Sequence, residues 1–191
     1  MAISTADFRN GLSIETGGEI FTIIEFQHVK PGKGGAFVRT RLRNIRTGAV
    51  IDKTFRAGER MEQAVIRRRP MQFLYRAGEE YTFMDVKTFD QVTLESDMIG
   101  SGASYLKPNA EVSIIMYDEE MLGVEVAQTV ELIVAKTDPG LRGDTATGGS
   151  KPATLETGAV VSVPLFINEG DVIRVDTRTG DYVQRVSAPA R

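Results

Sequence analysis

The stretch Thr22-Ile-Ile-Glu-Phe-Gln-His-Val29, Lys30-Pro-Gly-Lys-Gly-Gly35, Ala36-Phe-Val-Arg-Thr-Arg-Leu-Arg-Asn-Ile45 decides the fold. Its flanks are short alternating runs of β-branched, aromatic and polar residues. Its centre is a proline and three glycines around one lysine, so the whole reads as a long hairpin with a tight tip. A turn at Arg46-Thr-Gly48 returns the chain through Val50-Ile-Asp-Lys-Thr-Phe55, and Ala57-Gly58-Glu59 ends that meander.

The same grammar runs outward to the carboxyl end. Phe73–Tyr75, Tyr81–Val86, Val112–Tyr117, Gly123–Val126, Val130–Val134, Ala159–Val163, Asp171–Val175 and Tyr182–Arg185 read as strands, with Ala77-Gly78 as one of the turns between them. Strands this short and evenly spaced predict an all-β chain built of small barrels in tandem rather than one large sheet. Helix is expected in two places only. One is a turn capped by Ser4 or Thr5 and reaching Phe8; the other starts at Ser96 or Asp97 and runs toward Leu106, weakened by Gly100 and Gly102. No internal repeat stands out.

Composition removes whole classes of chemistry. The 191 residues are 41% apolar, enough for a packed core, and contain no cysteine, which excludes thiol nucleophiles, disulfides, Cys-ligated zinc and iron–sulfur clusters. The single histidine, His28, excludes a multi-histidine metal site and leaves one ring for any Ser-His-Asp arrangement. It should share a strand face with Phe26 and Ile24, with no partner constellation, and reads as a structural, half-buried residue. Glu79-Glu80 and Glu119-Glu120 point to opposite faces if extended, so they read as solvated turns rather than paired acid and base. The amino terminus has no basic region followed by an apolar one, and no apolar run is long enough to span a bilayer. A cytoplasmic location without membrane association is the expectation.

Charge is unevenly placed. The net values for residues 1–64, 65–127 and 128–191 are +3, −5 and −1, and Lys30–Arg69 alone holds 12 basic side chains against three acidic ones. Strand geometry puts Arg39, Arg41 and Arg43 on one face, about 7 Å apart, with Val38, Thr40 and Leu42 on the other. Two readings stay open for that face: a solvated barrel exterior, or a site for a polyanion such as RNA. Arg46, Arg56, Arg60, Arg67, Arg68 and Arg69 weigh toward RNA. The hairpin tip also has two readings. Pro31 stiffens its entry and Gly32, Gly34 and Gly35 strip side chains from around Lys33, giving either an ordinary glycine-rich turn or a slim probe carrying one cation. Neither glycine-rich loop is a nucleotide site. Gly32–Phe37 joins strand to strand and lacks the last glycine of the dinucleotide fingerprint; in Asp138–Ser150, Gly143 and Gly148 have P-loop spacing but Gly149 stands where the lysine belongs. That second loop is either a connector or a contact surface.

Four blocks carry a resemblance. They are Asp7-Phe-Arg-Asn-Gly11; Val29-Lys-Pro-Gly-Lys-Gly34 with Ala36-Phe37; Thr137-Asp-Pro-Gly-Leu-Arg-Gly-Asp-Thr145; and Lys151-Pro-Ala153 through Gly158, Val163-Pro164 and Gly170. With them the chain resembles the bacterial elongation factor P family over its whole length. The resemblance implies an SH3-like (KOW-like) domain over 1–64, an OB-fold domain over 65–127, a C-terminal OB-fold domain over 128–191, and a tRNA-like outline. It implies a translation factor, not an enzyme, with no catalytic residue, cofactor or metal. Such a factor binds the 70S ribosome between the peptidyl and exit sites and relieves stalls at consecutive prolines.

In that family the tip formed here by Pro31, Gly32, Lys33 and Gly34 reaches the acceptor end of peptidyl-tRNA at the peptidyl-transferase centre. Lys33 stands where the family is modified, by β-lysylation or a 5-aminopentanol group, other lineages carrying a rhamnosylated arginine. A Lys33-modifying enzyme is therefore an implied partner. Proline is a constrained nucleophile, and a lengthened cation holding the acceptor end favours attack geometry. By the same resemblance Gly140, Gly143, Asp144 and Thr145 approach the exit-site codon of mRNA, and Tyr182 and Arg185 lie near tRNA; the face of Arg39, Arg41 and Arg43, read from strand alternation and charge, then suits tRNA or ribosomal RNA. The protein is expected to be a monomer off the ribosome. The competing reading is a general RNA-binding β-barrel protein without a peptidyl-transfer role.

Overall fold

The computed structural model describes residues 2–140 and 149–188. Among the described residues the chain is all-β apart from three short turns of helix. Its strands are β1 (Ala2–Ser4), β2 (Ser13–Thr16), β3 (Glu19–Val29), β4 (Phe37–Asn44), β5 (Val50–Arg56), β6 (Arg60–Gln63), β7 (Ile66–Ala77), β8 (Glu80–Asp85) and β9 (Gln91–Glu95). After α1 (Ser96–Ile99) come β10 (Glu111–Tyr117), β11 (Glu120–Val126), β12 (Thr129–Thr137), β13 (Ser150–Leu155), β14 (Val160–Pro164), β15 (Val172–Asp176) and β16 (Tyr182–Ser187). They form three sheets, ordered β1-β6-β2-β3-β4-β5, β11-β10-β7-β8-β9 and β14-β13-β12-β15-β16. The chain divides into two compact units, one of Met1–Arg69 with Ile114–Gly123 and one of Pro70–Ser113 with Val124–Arg191.

In the first unit the expected hairpin is β3 paired antiparallel with β4, from Phe21↔Asn44 to Val29↔Phe37, and β5 continues the meander. Alternation buries one face. Ile14, Ile23, Val38 and Leu42 are fully enclosed with Phe8, Leu12, Phe21 and Phe55 around them, each contributing about 1.5–3 kcal/mol of apolar burial. Phe8 meets Phe26 and Phe55 edge-on at 6.3 and 5.6 Å. The turn foreseen near Ser4 is a 3₁₀ turn over Thr5–Asp7 with a reciprocal cap. Ser4 Oγ accepts from the Ala6 N–H, and the Asp7 carboxylate accepts from the Ser4 N–H at 2.8 Å, which lowers the Asp7 pKa. Within the same unit Arg46 donates to Glu120 at 2.5 Å, Arg67 pairs with Glu119 and the Asp118 carbonyl, and the Tyr117 hydroxyl donates to Glu15 at 3.2 Å. Desolvation and the Glu15 carboxylate together raise the Tyr117 pKa.

In the second unit β8 pairs with both β7 and β9 over a core of Met71, Phe73, Tyr81, Phe83 and Leu94. The helix expected to reach Leu106 stops as an α turn at Ile99 and continues as a 3₁₀ turn over Gly100–Tyr105. Gly100 has a φ of 68°, and a Cβ on Gly102 would lie 2.5 Å from Val126 Cγ2, so the two glycines that weaken the helix are the residues this path requires. The C-terminal sheet encloses Leu132, Val134, Leu155, Val163, Ile167, Ile173 and Val175.

One local device recurs in all three sheets. After β4, Asn44 Oδ1 accepts the N–H groups of Arg46 and Thr47, Gly48 N donates to the Asn44 carbonyl, and Asn44 N donates to the Ala49 carbonyl. After β8, Asp85 Oδ1 accepts from Lys87 and Thr88, Phe89 N donates to the Asp85 carbonyl, and Asp85 N donates to that of Asp90. After β15, Asp176 accepts from Arg178, Gly180 N donates to the Asp176 carbonyl, and Asp176 N donates to that of Asp181. The pattern is Asn or Asp, any residue, Arg or Lys, Thr, a left-handed residue, and a closing partner.

Several strands lie outside the apolar runs read from the sequence: β1, β2 and β6 are only three or four residues long and join through β6, which pairs with both of the others, and β9 and β13 are short strands whose apolar positions number two or three. Strand β7 starts at Ile66, well before the apolar run at Phe73, and takes Arg67, Arg68 and Arg69 into its extended backbone.

Candidate nucleic-acid interface

The hairpin tip is built from its stem outward. Strand β3 has 11 residues, about 35 Å of extended chain, and its far end carries Val29↔Phe37 as the last pair before the tip. From Lys30 to Gly35 every residue is exposed, Lys33 included. Gly34 sits at φ 110°, where a side chain is strained, and a Cβ there would meet only Pro31 Cγ at 3.9 Å; nothing lies within 4 Å of the corresponding positions on Gly32 and Gly35. The result is a cation on a narrow backbone loop with open space around it.

Arg39, Arg41 and Arg43 are all exposed and share one face of β4, as alternation requires. The register shows what alternation along one strand cannot. Arg41 stands opposite Glu25 on β3 and Asp52 on β5, Arg39 opposite Gln27 and Thr54, and Arg43 opposite Thr22 and Val50. Arg41 Nε lies 3.5 Å from Asp52, both side chains well exposed, and the Arg39 guanidinium lies over the Phe37 ring at 5.5 Å. The face is a ladder of mixed charge with its strongest positive end at Arg39. Of the supporting cations, Arg46 and Arg67 are tied to carboxylates of their own unit.

His28 differs from its expected half-buried setting: it is exposed, edge-on to Phe26 at 5.7 Å. A register shift between Ile23 and Glu25 takes Ile24 out of the pairing and puts Phe26 and His28 on the face of Ile23, opposite Thr40 and Val38; His28 is exposed because it stands near the outer end of the arm, one pair before Val29↔Phe37. The Phe26–His28 pairing survives; the link to Ile24 does not.

On the C-terminal sheet Tyr182 is half-buried and packs against the core, opposite Val175 on β15. Arg185 stands on β16 with its guanidinium over the Phe166 ring at 5.5 Å and 3.8 Å from Asp171 Oδ2. Neither Phe166 nor Asp171 carries a sequence signal for this role, since each sits in an ordinary loop context. A Cβ on Gly140 would run into the Leu165 carbonyl oxygen, so glycine is required there. Gly143, Asp144 and Thr145 lie outside the described residues. Among the described residues no group of three or more His, Asp or Glu side chains is placed to hold a metal ion, and no helix is long and apolar enough to cross a membrane.

Known proteins match this arrangement end to end. The family described as "Elongation factor P (EF-P) KOW-like domain" matches residues 4–61, "Elongation factor P (EF-P) OB domain" residues 66–124, and "Elongation factor P, C-terminal" residues 130–185. The elongation factor P of Pelotomaculum thermopropionicum is 59% identical over 184 residues, covering 96% of this chain and 100% of that protein. That of Moorella thermoacetica is 56% identical over 183 residues, covering 96% and 99%. Among solved structures, "Eukaryotic translation initiation factor 5A from Methanococcus jannaschii" superposes with a TM-score of 0.53 at 25% identity, over 66% of this chain and 92% of that one. A "Translation initiation factor eif-5a family protein from Naegleria fowleri" shares the fold at 15% identity, with a TM-score of 0.52 over 66% of this chain and 98% of that one. The three sheets are thus a KOW-like domain followed by two OB-like curled sheets, and the protein belongs to the elongation factor P family of translation factors.

Proposed function

We propose that this factor works in the cytoplasm, on the 70S ribosome between the peptidyl and exit sites, and speeds peptide-bond formation where consecutive prolines stall it. The observation that supports this best is the tip: one exposed cation, Lys33, on a glycine and proline loop at the end of a two-stranded arm. The arm is rigid because its inner face is part of a core, and the tip is thin because only Gly34 and its neighbours form it. Lys33, extended by a modifying enzyme, holds the acceptor end of peptidyl-tRNA in a geometry that favours attack by proline. The chain itself then supplies no acid, base or nucleophile; its contribution is positional. Arg39, Arg41 and Arg43 on the arm, and Tyr182 and Arg185 in the C-terminal domain, take the RNA backbone, while Gly143, Asp144 and Thr145 read the exit-site codon. We place the domain limits at 1–64, 65–127 and 128–191.

The test is synthesis of a polyproline reporter in a purified translation system lacking this factor, with wild type or Lys33→Ala isolated from native cells. Wild type relieves the stall and Lys33→Ala does not. Full rescue by Lys33→Ala overturns the role of the tip. No rescue by folded wild type leaves a general RNA-binding barrel, in which Lys33 matters no more than Arg46.

A further inference from the structure

The loop between β14 and β15 presents an aromatic ring to solvent on a rigid mount. Ile167 is fully enclosed in the C-terminal core, and its neighbour Phe166 is 57% exposed. Five hydrogen bonds fix the segment. Ile167 N donates to the Pro164 carbonyl, Asn168 N to Asp171 Oδ2, Asp171 N to the Asn168 carbonyl, Gly170 N to the Val134 carbonyl, and Val134 N to the Asp171 carbonyl. Burial of Ile167 therefore forces Phe166 outward and holds it there.

A guanidinium covers one side of that ring. Arg185 Cζ lies 5.5 Å from the Phe166 centroid, and Arg185 Nη1 lies 3.8 Å from the carboxylate of Asp171, whose side chain is 1% exposed. A surface arginine ordinarily samples many rotamers, whereas this one is held between a ring and a buried anion, with its side chain still 42% exposed. A lone exposed phenylalanine needs no explanation; a phenylalanine on a core-anchored loop under a pinned arginine is a pre-organised stacking surface. OB-like sheets bind single-stranded nucleic acid by such surfaces, with bases on aromatic faces and Arg planes and phosphates on the cation.

We propose that Phe166 and Arg185 together form a site for one unpaired nucleobase of single-stranded RNA, with Phe166 supplying the stacking face and Asp171 acting as the positioning residue for Arg185. The site rests on the reading of Arg185 as an RNA contact and adds that the contact is to a base as well as to backbone. Its requirement is chemical: an unstacked base beside a phosphate. A duplex, whose bases are already stacked, and a phosphate chain without bases both lack it.

The sequence contains no tryptophan, so Phe166→Trp places a single reporter in the whole chain. Its emission is followed in the full-length protein on titration with a seven-nucleotide oligoadenylate, an abasic ribose-phosphate heptamer of equal charge, and a duplex of the same length. Saturable quenching by the oligoadenylate, absent with the other two, is expected. Phe166→Leu is expected to weaken oligoadenylate binding by about tenfold while leaving the abasic heptamer unchanged. Arg185→Gln is expected to weaken both and to reduce the salt dependence. Asp171→Asn, which keeps an acceptor for the Asn168 N–H, should reproduce part of the Arg185→Gln loss. If Phe166→Trp does not fold, the Phe166→Leu comparison decides alone. Equal affinity of wild type and Phe166→Leu for oligoadenylate, or equal quenching by the abasic heptamer, overturns the base site. The proposed function stands or falls separately, on the polyproline reporter with Lys33→Ala.

Discussion

Phe89 and Gly180 hold the same place in the same turn. Each donates its N–H to the carbonyl of an aspartate four residues earlier, Asp85 or Asp176, and each has a left-handed backbone, with φ of 64° and 77°. Gly48 makes the third copy at 72°. Two of the three copies use the residue that adopts this conformation without cost, and one uses a bulky aromatic that is 67% exposed.

Replacement of Phe89 by glycine is therefore expected to stabilise the protein, by about 0.5–1 kcal/mol once the extra freedom of glycine in the unfolded chain is deducted. The reverse change at Gly180 carries two penalties, because a Cβ there would also lie 2.9 Å from the Tyr105 hydroxyl. Gly180→Ala should lose about 1–2 kcal/mol, and Gly48→Ala, with open space around it, less. Urea midpoints of the three variants give the order; a destabilised Phe89→Gly would show that the ring contributes packing that its exposure conceals.

Lys33→Ala should unfold within about 0.5 kcal/mol of wild type, since the side chain is exposed and the loop conformation belongs to its neighbours. Gly34→Ala is expected to do the opposite. It keeps the cation but strains the backbone at φ 110°, so the tip is displaced and stall relief falls although Lys33 is present. Thermal unfolding set beside the reporter assay separates the two; normal relief by Gly34→Ala would mean that the tip finds its geometry only on the ribosome.

Asp52→Asn removes the carboxylate 3.5 Å from Arg41 and should tighten binding of single-stranded RNA a few-fold at low salt, the gain shrinking as salt rises. Arg39→Gln should weaken binding and lower the salt slope by about one. Filter binding across a salt series reads both. No effect of either change would remove this face of β4 from the interface.

The side-chain hydrogen bond from Arg178, backed by the Arg178 and Thr179 N–H groups, lowers the Asp176 pKa from 3.8 to about 2. A depressed carboxylate stabilises the fold fully above its unfolded value and loses that contribution as pH falls through the folded one. Asn44 fills the same turn position without charge, so Asp176→Asn preserves the cap and removes only the titration. The stability gap between wild type and Asp176→Asn should be open at pH 5 and close between pH 4 and 2. A gap that stays constant over that range would assign it to geometry instead of charge.

The meander from Thr22 to Phe55 is legible in the sequence because one of its faces is buried and alternation records burial. The tip is legible because glycine and proline constrain the backbone directly. Strand β6 is not, since its extended backbone comes from pairing with β1 and β2, distant in sequence, and β13 is not, since Lys151 and Pro152 interrupt its apolar pattern. The recurring turn is hidden for a related reason. Its copies share a hydrogen-bonding role at each place rather than an identical residue, Asn44 standing for Asp and Phe89 for Gly. On the arginine face of β4, alternation places Arg39, Arg41 and Arg43 correctly, but only the register brings Glu25 and Asp52 to either side of Arg41. The pairing of Phe166 with Arg185 spans two loops' worth of sequence and exists only once Ile167 is buried and β16 is in place.

The tip also fixes how the protein fragments. Between Arg9 and Arg39 the only lysines are Lys30, whose following bond is to Pro31 and resists trypsin, and Lys33, whose bond to Gly34 lies open in an exposed loop. A bare amine at Lys33 therefore yields a peptide of residues 10–33, and a lysine extended at its ε-nitrogen blocks that cut and yields residues 10–39. The same loop that presents the cation makes its chemical state readable as the length of one digestion product, before any mass is interpreted.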